Sequence, residues 1–159
     1  MCDSSGTVWI GTYSHLYSFR LGDTAVTHIY TFQDFFDNSA QAIVLCEFPR
    51  GTLWIGTMNE LLRYELSTGN IVSVQEFHSA SANEKTVRAI LPDHEGNVWF
   101  ATHAGLYKLD EELHSFQRFT HTPNDTRTLS NERLYALCED KSGVLWVGTF
   151  GSGVDRTNL

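Results

Sequence analysis

Four tryptophans recur at a nearly constant interval, and this period limits the folds open to the chain more than any other feature. They are Trp9, Trp54, Trp99 and Trp146, spaced 45, 45 and 47 residues apart. A glycine stands three residues before each tryptophan and a threonine three residues after it. A period of this length with fixed flanking residues indicates an array of similar units that stack on one another.

Each unit is predicted to contain short β-strands joined by tight turns. An aspartate stands six residues before the tryptophan in three repeats (Asp3, Asp93 and Asp140), whereas Phe48 takes that place in the second. The Asp-x-x-Gly sequence favours a turn, and the apolar run around the tryptophan favours a buried strand. Further strands are predicted at 42–46, 87–91 and 134–138 before the tryptophan strands, and at 61–66, 71–77, 105–109 and 115–119 after them. No segment of useful length has helical periodicity.

About four strands in each repeat, with an aromatic residue and a glycine at fixed places, are typical of a propeller blade. We therefore predict an all-β fold: a partial β-propeller of about three and a half four-stranded antiparallel blades. The blade repeats are predicted at about 1–41, 42–85, 86–133 and 134–159. In this arrangement the first strand of each blade lines the central channel. The tryptophan lies on the second strand and packs between neighbouring blades.

The phase of the repeat predicts incomplete blades at both ends. The chain starts at the last residue of a first strand and ends within or just after a third strand, as expected of a segment excised from a longer array. Such an arc is expected to expose apolar blade faces around Trp9 and Trp146, together with unpaired strand edges. We therefore predict that the chain self-associates, with a closed head-to-tail dimer as one form.

Composition and charge argue against several classes of partner. The net charge is −8, and the eleven Lys and Arg residues are scattered, so neither nucleic acid nor an anionic membrane surface is an expected partner. No stretch of about 18 apolar residues is present, and the N-terminus does not resemble a signal peptide. Three cysteines give no disulfide framework, and Cys46 and Cys138 are expected to be small buried apolar residues.

Motifs that carry catalysis are missing from the sequence. None of the seven histidines forms an HxH or HExxH spacing, and no GxSxG, GxGxxG or GxxxxGK motif occurs. The Asp93-His94-Glu95 sequence lies in a predicted surface turn. We therefore predict no catalytic residues, no metal site and no cofactor.

The predicted ligand-binding face is the end of the channel built by loops on a rigid scaffold. It combines the loops between second and third strands with the links that lead into each inner strand. Aromatic faces beside Arg and Asn donors there suit a sugar or a uronic acid. The candidates in the first set of loops are Tyr13, His15, Asn59, His103 and Phe150; those in the second are Asn83, Arg88, Asn131, Arg133 and Tyr135.

The repeat resembles that of the two-component regulator propeller family. The best match runs over residues 119–156, where a strand ending in Glu139-Asp140 precedes the sequence KSGVLWVGT. Departures occur at Phe48-Pro49-Arg50 and at Glu60-Leu61 and His15-Leu16, where the family usually has Gly-Leu. The family forms the extracytoplasmic sensor region of hybrid histidine kinases in Bacteroidetes. The resemblance implies a non-catalytic periplasmic segment that senses an oligosaccharide, while the kinase lies elsewhere in the parent chain.

Two other functions remain open at this stage. Streptogramin lyases are propellers with a similar Gly-x-x-Trp strand, and such an enzyme would need a histidine and an acid that converge over the channel with a metal. His15 and His103 occupy neighbouring slots in the first and third repeats, which keeps this alternative in view. The other alternative is a purely structural propeller that holds further domains.

Overall fold

The computed structural model describes residues 1–32, 42–74, 86–110 and 115–158. The described ranges contain only β-strands, arranged in four separate antiparallel sheets of three, four, four and three strands. This confirms the all-β partial propeller. Blade 1 contains β1 (Thr7–Gly11), β2 (His15–Arg20) and β3 (Thr27–Thr31); blade 2 contains β4 (Ala42–Glu47), β5 (Thr52–Thr57), β6 (Leu61–Glu65) and β7 (Asn70–Ser73). Blade 3 contains β8 (Val87–Pro92), β9 (Val98–Thr102), β10 (Gly105–Asp110) and β11 (Ser115–Phe119); blade 4 contains β12 (Leu134–Glu139), β13 (Val144–Thr149) and β14 (Val154–Asn158).

The two end blades have the strand content that the phase of the repeat predicts. Cys2 forms an isolated antiparallel bridge with Val8, and the Trp9 N–H donates to the Met1 carbonyl at 2.8 Å. Residues 1 and 2 therefore occupy the place of the last residues of a first strand. The strand predicted at 71–77 is observed as Asn70–Ser73: Val74 lies just beyond its end, and residues 75–77 lie outside the described ranges. No helix in the described ranges is long and apolar enough to cross a membrane.

The spacing of Asp, Gly and Trp recurs from blade to blade because these residues are joined by hydrogen bonds. In blade 3, Asp93 Oδ1 accepts the N–H groups of Glu95 and Asn97, and its Oδ2 accepts the Trp99 indole N–H at 2.7 Å. Gly96 has a φ of +90°, a conformation that side chains disfavour. The aspartate thus shapes the turn and anchors the tryptophan at once. Asp3 and Asp140 make the same indole bond in blades 1 and 4.

Blade 2 lacks the aspartate, and a backbone carbonyl replaces it as the acceptor of the tryptophan indole N–H. The Trp54 indole N–H donates to the Phe48 carbonyl at 2.6 Å. Glu47 Oε1 accepts the Gly51 N–H at 2.9 Å, a contact that helps to close the turn. The departure from the repeat therefore keeps the tryptophan anchored.

Each of the first three tryptophans packs against the following blade, as predicted. Trp9 meets Tyr64 edge-on with ring centroids 5.6 Å apart, and Trp54 meets Phe100 in the same way at 5.3 Å. Trp99 belongs to a buried cluster that includes Leu134, Leu145 and Val147 of blade 4. The core is thus a row of three clusters, one in each gap between blades.

One expectation about the ends of the arc is wrong. Trp9 is buried, because the tryptophan side of a blade faces the blade that follows it and blade 2 covers this side of blade 1. The exposed apolar residue of β1 is instead Ile10, on the opposite side of that strand. Trp146 is exposed as expected. Cys138, expected to be buried, is exposed because it pairs across the sheet with Trp146 on the same open side.

The inner strands β4, β8 and β12 lie side by side along the inner edge of the arc. Gly56 on β5 lies against both β4 and β8. A Cβ atom at this position would lie 2.6 Å from Val44 Cγ1 and 2.8 Å from Val87 Cγ1, which shows how closely blades 2 and 3 approach each other. Burial raises the pKa of the Cys46 thiol on β4 to about 11, with the nearby Glu47 carboxylate adding to the effect.

In two of the three gaps, a glutamate carboxylate of one blade accepts hydrogen bonds from the neighbouring blade. We call this contact a carboxylate clasp. Glu47, at the end of β4, accepts hydrogen bonds from the backbone N–H and the hydroxyl of Ser4 in blade 1. Glu139, at the end of β12, likewise accepts the backbone N–H of His94 at 3.0 Å and contacts His94 Nδ1. The middle gap has Pro49 and Pro92 at the corresponding positions, so it lacks both the N–H donor and the carboxylate.

Candidate functional site

The loops between second and third strands and the starts of the inner strands lie at the same end of the blades, which we call the loop face. The Ala42 N–H donates to the Thr12 carbonyl, and the Thr86 hydroxyl donates to the Met58 carbonyl at 2.8 Å. In blade 4 the Phe150 N–H donates to the Arg133 carbonyl at 2.8 Å. The described candidates of the two sets therefore lie at the same end of the blades, as their positions in the repeat predict.

Blades 3 and 4 bring four candidate side chains into direct contact; we call Arg88, His103, Tyr135 and Phe150 the aromatic–arginine cluster. Arg88 Nε donates to His103 Nε2 at 3.1 Å, so that nitrogen of His103 is the acceptor. The guanidinium carbon of Arg88 lies 5.2 Å from the Tyr135 ring centroid, within the range of a cation–π contact. The cluster thus carries a fixed positive group against an aromatic ring.

The aromatic rings of the cluster form a continuous row. Tyr135 stacks on Phe150 with centroids 5.8 Å apart and an interplanar angle of 27°, and it also contacts the His103 ring, with centroids 5.4 Å apart. Tyr135 is 44% and Phe150 55% exposed, although both are large aromatic side chains. Exposed aromatic residues gathered in one place, beside a cation, indicate a binding surface more than a packing role.

Asn131 and Arg133 position the same surface through the backbone. The Asn131 side-chain amide donates to the Phe150 carbonyl at 2.9 Å, and its Oδ1 accepts the Arg133 N–H at 2.9 Å. Asn131 therefore ties the loop after β13 to the start of β12. The Arg133 side chain is exposed and adds a second positive charge on this side of the arc.

Three of the remaining four candidates lie within the described residues, and they do not join this cluster. Tyr13 is exposed in the blade 1 loop, and the Asn59 backbone N–H donates to Thr57 Oγ1 at 3.1 Å in the turn of blade 2. His15 lies in blade 1, whereas His103 lies in the cluster between blades 3 and 4. Asn83 lies outside the described residues.

Blade 1 holds a second aromatic group, which was not predicted from the sequence. His15 stacks on Tyr17 at 5.6 Å, and His28 meets both rings edge-on at 5.3 and 5.6 Å. Tyr17 and His28 face each other across β2 and β3. Alternation along β2 could have placed Tyr17 beside His15, but the pairing with His28 depends on the β-bulge in that register.

The aromatic–arginine cluster offers recognition chemistry. Flat rings pack against the apolar face of a sugar, and guanidinium groups bind carboxylates with directed hydrogen bonds. Among the described residues, no three His, Cys, Asp or Glu side chains form a group that could hold a metal ion.

The sequence profile of the two component regulator propeller family matches residues 81–104 and 128–151. Each matched segment contains the start of an inner strand, and the two together hold all four residues of the aromatic–arginine cluster. The resemblance recognised in the sequence is therefore confirmed over these two segments, which match the two component regulator propeller repeat. No curated protein matches the sequence.

Solved structures with the same fold include two kinds of bacterial protein. The extracellular domain of the hybrid two-component system BT4673 from B. thetaiotaomicron superposes with a TM-score of 0.82 and 22% identity over 98% of this chain and 20% of that one. For the extracellular domain of the hybrid two-component system BT3049 from the same organism the TM-score is 0.58 and the identity 18%, over 100% and 26% of the two chains. PorZ, a surface component of the type-IX secretion system of Porphyromonas gingivalis, gives 0.70 and 19%, over 99% and 25%. The chain thus spans about a quarter or less of these proteins, and the likeness concerns the fold.

Proposed function

We propose that this chain is a non-catalytic segment of a periplasmic sensor propeller, which binds an acidic oligosaccharide at its loop face. The observation that carries the proposal is the aromatic–arginine cluster, where two exposed stacked rings lie beside the Arg88 guanidinium. The match of both cluster-bearing segments to two component regulator propeller repeats supports the sensor role. The hybrid two-component systems among the solved structures support the extracytoplasmic location.

The division of labour within the site follows from the geometry. Tyr135 and Phe150 form a platform for the apolar face of a sugar ring. Arg88 is held in place by its hydrogen bond to His103 and by the Tyr135 ring, so little side-chain entropy is lost when it binds a carboxylate. Arg133, at the rim, attracts the acidic ligand.

The test is a titration of the ¹⁵N-labelled chain with trigalacturonate, with maltotriose as an uncharged trisaccharide. We expect trigalacturonate to shift the backbone signals of residues 88, 103, 135 and 150, and maltotriose to bind about tenfold more weakly or less. Tyr135→Ala is expected to weaken binding up to about tenfold, because an aromatic stacking contact contributes about 0.5–1.5 kcal/mol.

Tyr13→Ala is the matched control, because Tyr13 is an exposed tyrosine of the same loop face that lies outside the cluster. It is expected to leave the affinity unchanged. Equal losses in Tyr13→Ala and Tyr135→Ala would place the ligand elsewhere on the loop face. Absence of binding by both trisaccharides would favour a purely structural propeller.

A further inference from the structure

The residue opposite the tryptophan on the neighbouring strand differs between blade 1 and the other blades. Arg63 faces Trp54, Lys108 faces Trp99, and Arg156 faces Trp146 across the sheet. In blade 1 this position holds Ser18, which faces Trp9. A serine side chain ends at its hydroxyl, so the space that a long cation takes in the other blades is not filled by the residue at this position.

A cavity of about 310 Å³ lies at this place, between blade 1 and β6 of blade 2. Its size is within the range of small-ligand pockets. It opens near the Asp3–Gly6 turn, at the end of the blades opposite the loop face. The residues that line it and enter the argument are Asp3, Trp9, Ser18, Arg20, Asp23 and Tyr64.

Ser18 supplies an independent sign of a ligand. Ser18 as a whole residue is 9% exposed and its side chain lines the cavity, yet no hydrogen bond to its hydroxyl is found among the described residues. Polar groups that are nearly buried usually have a partner. This hydroxyl is therefore a preformed contact for a polar group inside the cavity.

The charges around the cavity favour a cation. Two carboxylates, Asp3 and Asp23, and one guanidinium, Arg20, line it, so negative charge is in excess. The hydrogen bonds of Asp3 to its own turn and to Trp9 are already made. Asp23 Oδ2 accepts the Arg20 N–H at 2.7 Å, which leaves Asp23 Oδ1 as the acceptor at the rim.

Blade 3 shows which group the chain itself places in the corresponding position. The Lys108 ammonium lies 5.1 Å from the Trp99 ring centroid. It borders a groove that is also lined by Glu95 and Asp110, so there too an ammonium group accompanies two carboxylates. Aromatic rings and carboxylates together are a common environment for an alkylammonium group.

We infer that the cavity beside Trp9 binds a small molecule that carries a primary ammonium group and is no larger than a monosaccharide. The ammonium donates to Ser18 Oγ and to the Asp23 carboxylate, while the Trp9 and Tyr64 side chains provide the aromatic wall. The site is separate from the aromatic–arginine cluster, and the inference does not depend on the proposed function.

The test uses D-glucosamine as the probe and D-glucose as its uncharged counterpart. Each is titrated into the ¹⁵N-labelled chain, and the signals of the Trp9 indole and of the Ser18 and Asp23 amides are followed. We expect glucosamine to saturate these signals with a Kd on the order of 1 mM, and glucose to bind about tenfold more weakly or less. Equal binding of glucose, or no response to glucosamine, would overturn the inference.

Ser18→Lys gives blade 1 the side chain that blade 3 already carries. We expect it to abolish glucosamine binding while the unfolding midpoint stays unchanged, because the chain tolerates Lys108 in the same register. Val72→Lys adds the same charge at an exposed position of β7 and is expected to keep the affinity.

Two milder substitutions keep the test decisive if Ser18→Lys impairs folding. Ser18→Ala and Asp23→Asn leave the cavity open and are each expected to weaken glucosamine binding about fivefold, the equivalent of one hydrogen bond. Full affinity in Ser18→Lys, or in both milder variants, would show that glucosamine binds elsewhere and would refute the assignment.

Discussion

Trp99 and Trp146 occupy the same position in the same motif, yet their surroundings differ. Trp99 is 4% exposed and lies in the gap between blades 3 and 4, whereas Trp146 is 37% exposed on the open side of blade 4. Their indole hydrogen bonds to the turn aspartate are nearly identical, at 2.7 and 2.8 Å. The aspartate turn therefore forms within one blade, and burial of the tryptophan is added by the following blade.

The largest difference is expected when the two side chains are truncated. Trp99→Ala should lower the free energy of unfolding by about 3–5 kcal/mol, because it removes a buried aromatic side chain and leaves a cavity between blades. Trp146→Ala should cost about 1 kcal/mol, as for a partly exposed residue. Urea denaturation followed by circular dichroism measures both; equal costs would show that the gap between blades adds little.

A smaller effect is expected from removing the turn aspartate. Asp93→Ala removes a buried carboxylate that accepts hydrogen bonds from the Trp99 indole and from two backbone N–H groups, at a cost of about 2–3 kcal/mol. Asp140→Ala is the matched variant, since the equivalent donors there can bond to water. If urea denaturation showed equal losses in the two variants, the burial of the aspartate would be irrelevant to its hydrogen bonds.

The same aspartate makes the comparison dependent on pH. Burial alone would raise the pKa of Asp93, but the hydrogen bonds from Trp99, Asn97 and Glu95 outweigh it and hold that pKa below its usual value near 3.8. A lowered pKa in the folded state contributes stability that is present above the unfolded pKa and is lost as pH falls through the folded pKa. The difference in unfolding free energy between wild type and Asp93→Ala should therefore shrink below about pH 4, measured by urea denaturation at stepped pH.

The exposed side of blade 4 also sharpens the prediction of self-association. We propose that Trp146 and Val154, which are exposed in this chain, pack against the exposed side of blade 1 in a second copy, around Ile10. Light scattering on a gel-filtration peak should give a mass above that of one chain, which Trp146→Lys should reduce to the monomer value. A monomer mass for the unmodified chain at high concentration would contradict the proposal.

The sequence predicted the blade order and strand content because the repeat period carries that information directly. It also placed Arg88, Tyr135 and Phe150 on one surface, because their positions in the repeat fix which end of the blade they reach. It did not predict that Trp9 is buried, since the period does not tell which neighbour a tryptophan faces. The empty place beside Ser18 was missed for a related reason: it depends on which residue lies opposite Trp9 across the strands, and therefore on the register.

The smallest effect concerns the carboxylate clasps at the blade gaps. The hydrogen bond to Glu139 raises the pKa of His94 above its usual value near 6.5. The clasp therefore stabilises the fold below that value, and this contribution is lost as pH rises through the folded pKa of His94. Proton NMR should show the His94 titration midpoint fall toward 6.5 in Glu139→Gln. If the His94 midpoint in Glu139→Gln stayed above 6.5, a group other than Glu139 would stabilise the protonated imidazole.

The clasp between blades 1 and 2 serves as the internal control for this effect. Its donor, Ser4, does not titrate in that range, so Ser4→Ala should change stability by the same small amount at pH 6 and pH 8. A pH-dependent loss in Ser4→Ala would show that a titrating group other than Ser4 contributes to that gap.

The two prolines of the middle gap have a consequence for how such an array can be rearranged. Blades 2 and 3 have the same four-stranded antiparallel topology, yet they are not interchangeable. If blade 3 followed blade 1 directly, Ser4 would face Pro92 and lose its acceptor; if blade 4 followed blade 2, Glu139 would face Pro49 and lose its backbone donor. The residues at the clasp positions thus fit the order in which blades 1 to 4 follow one another. Exchange of blades 2 and 3 would preserve each sheet but would leave Ser4 without its acceptor and Glu139 without its donor at the new junctions.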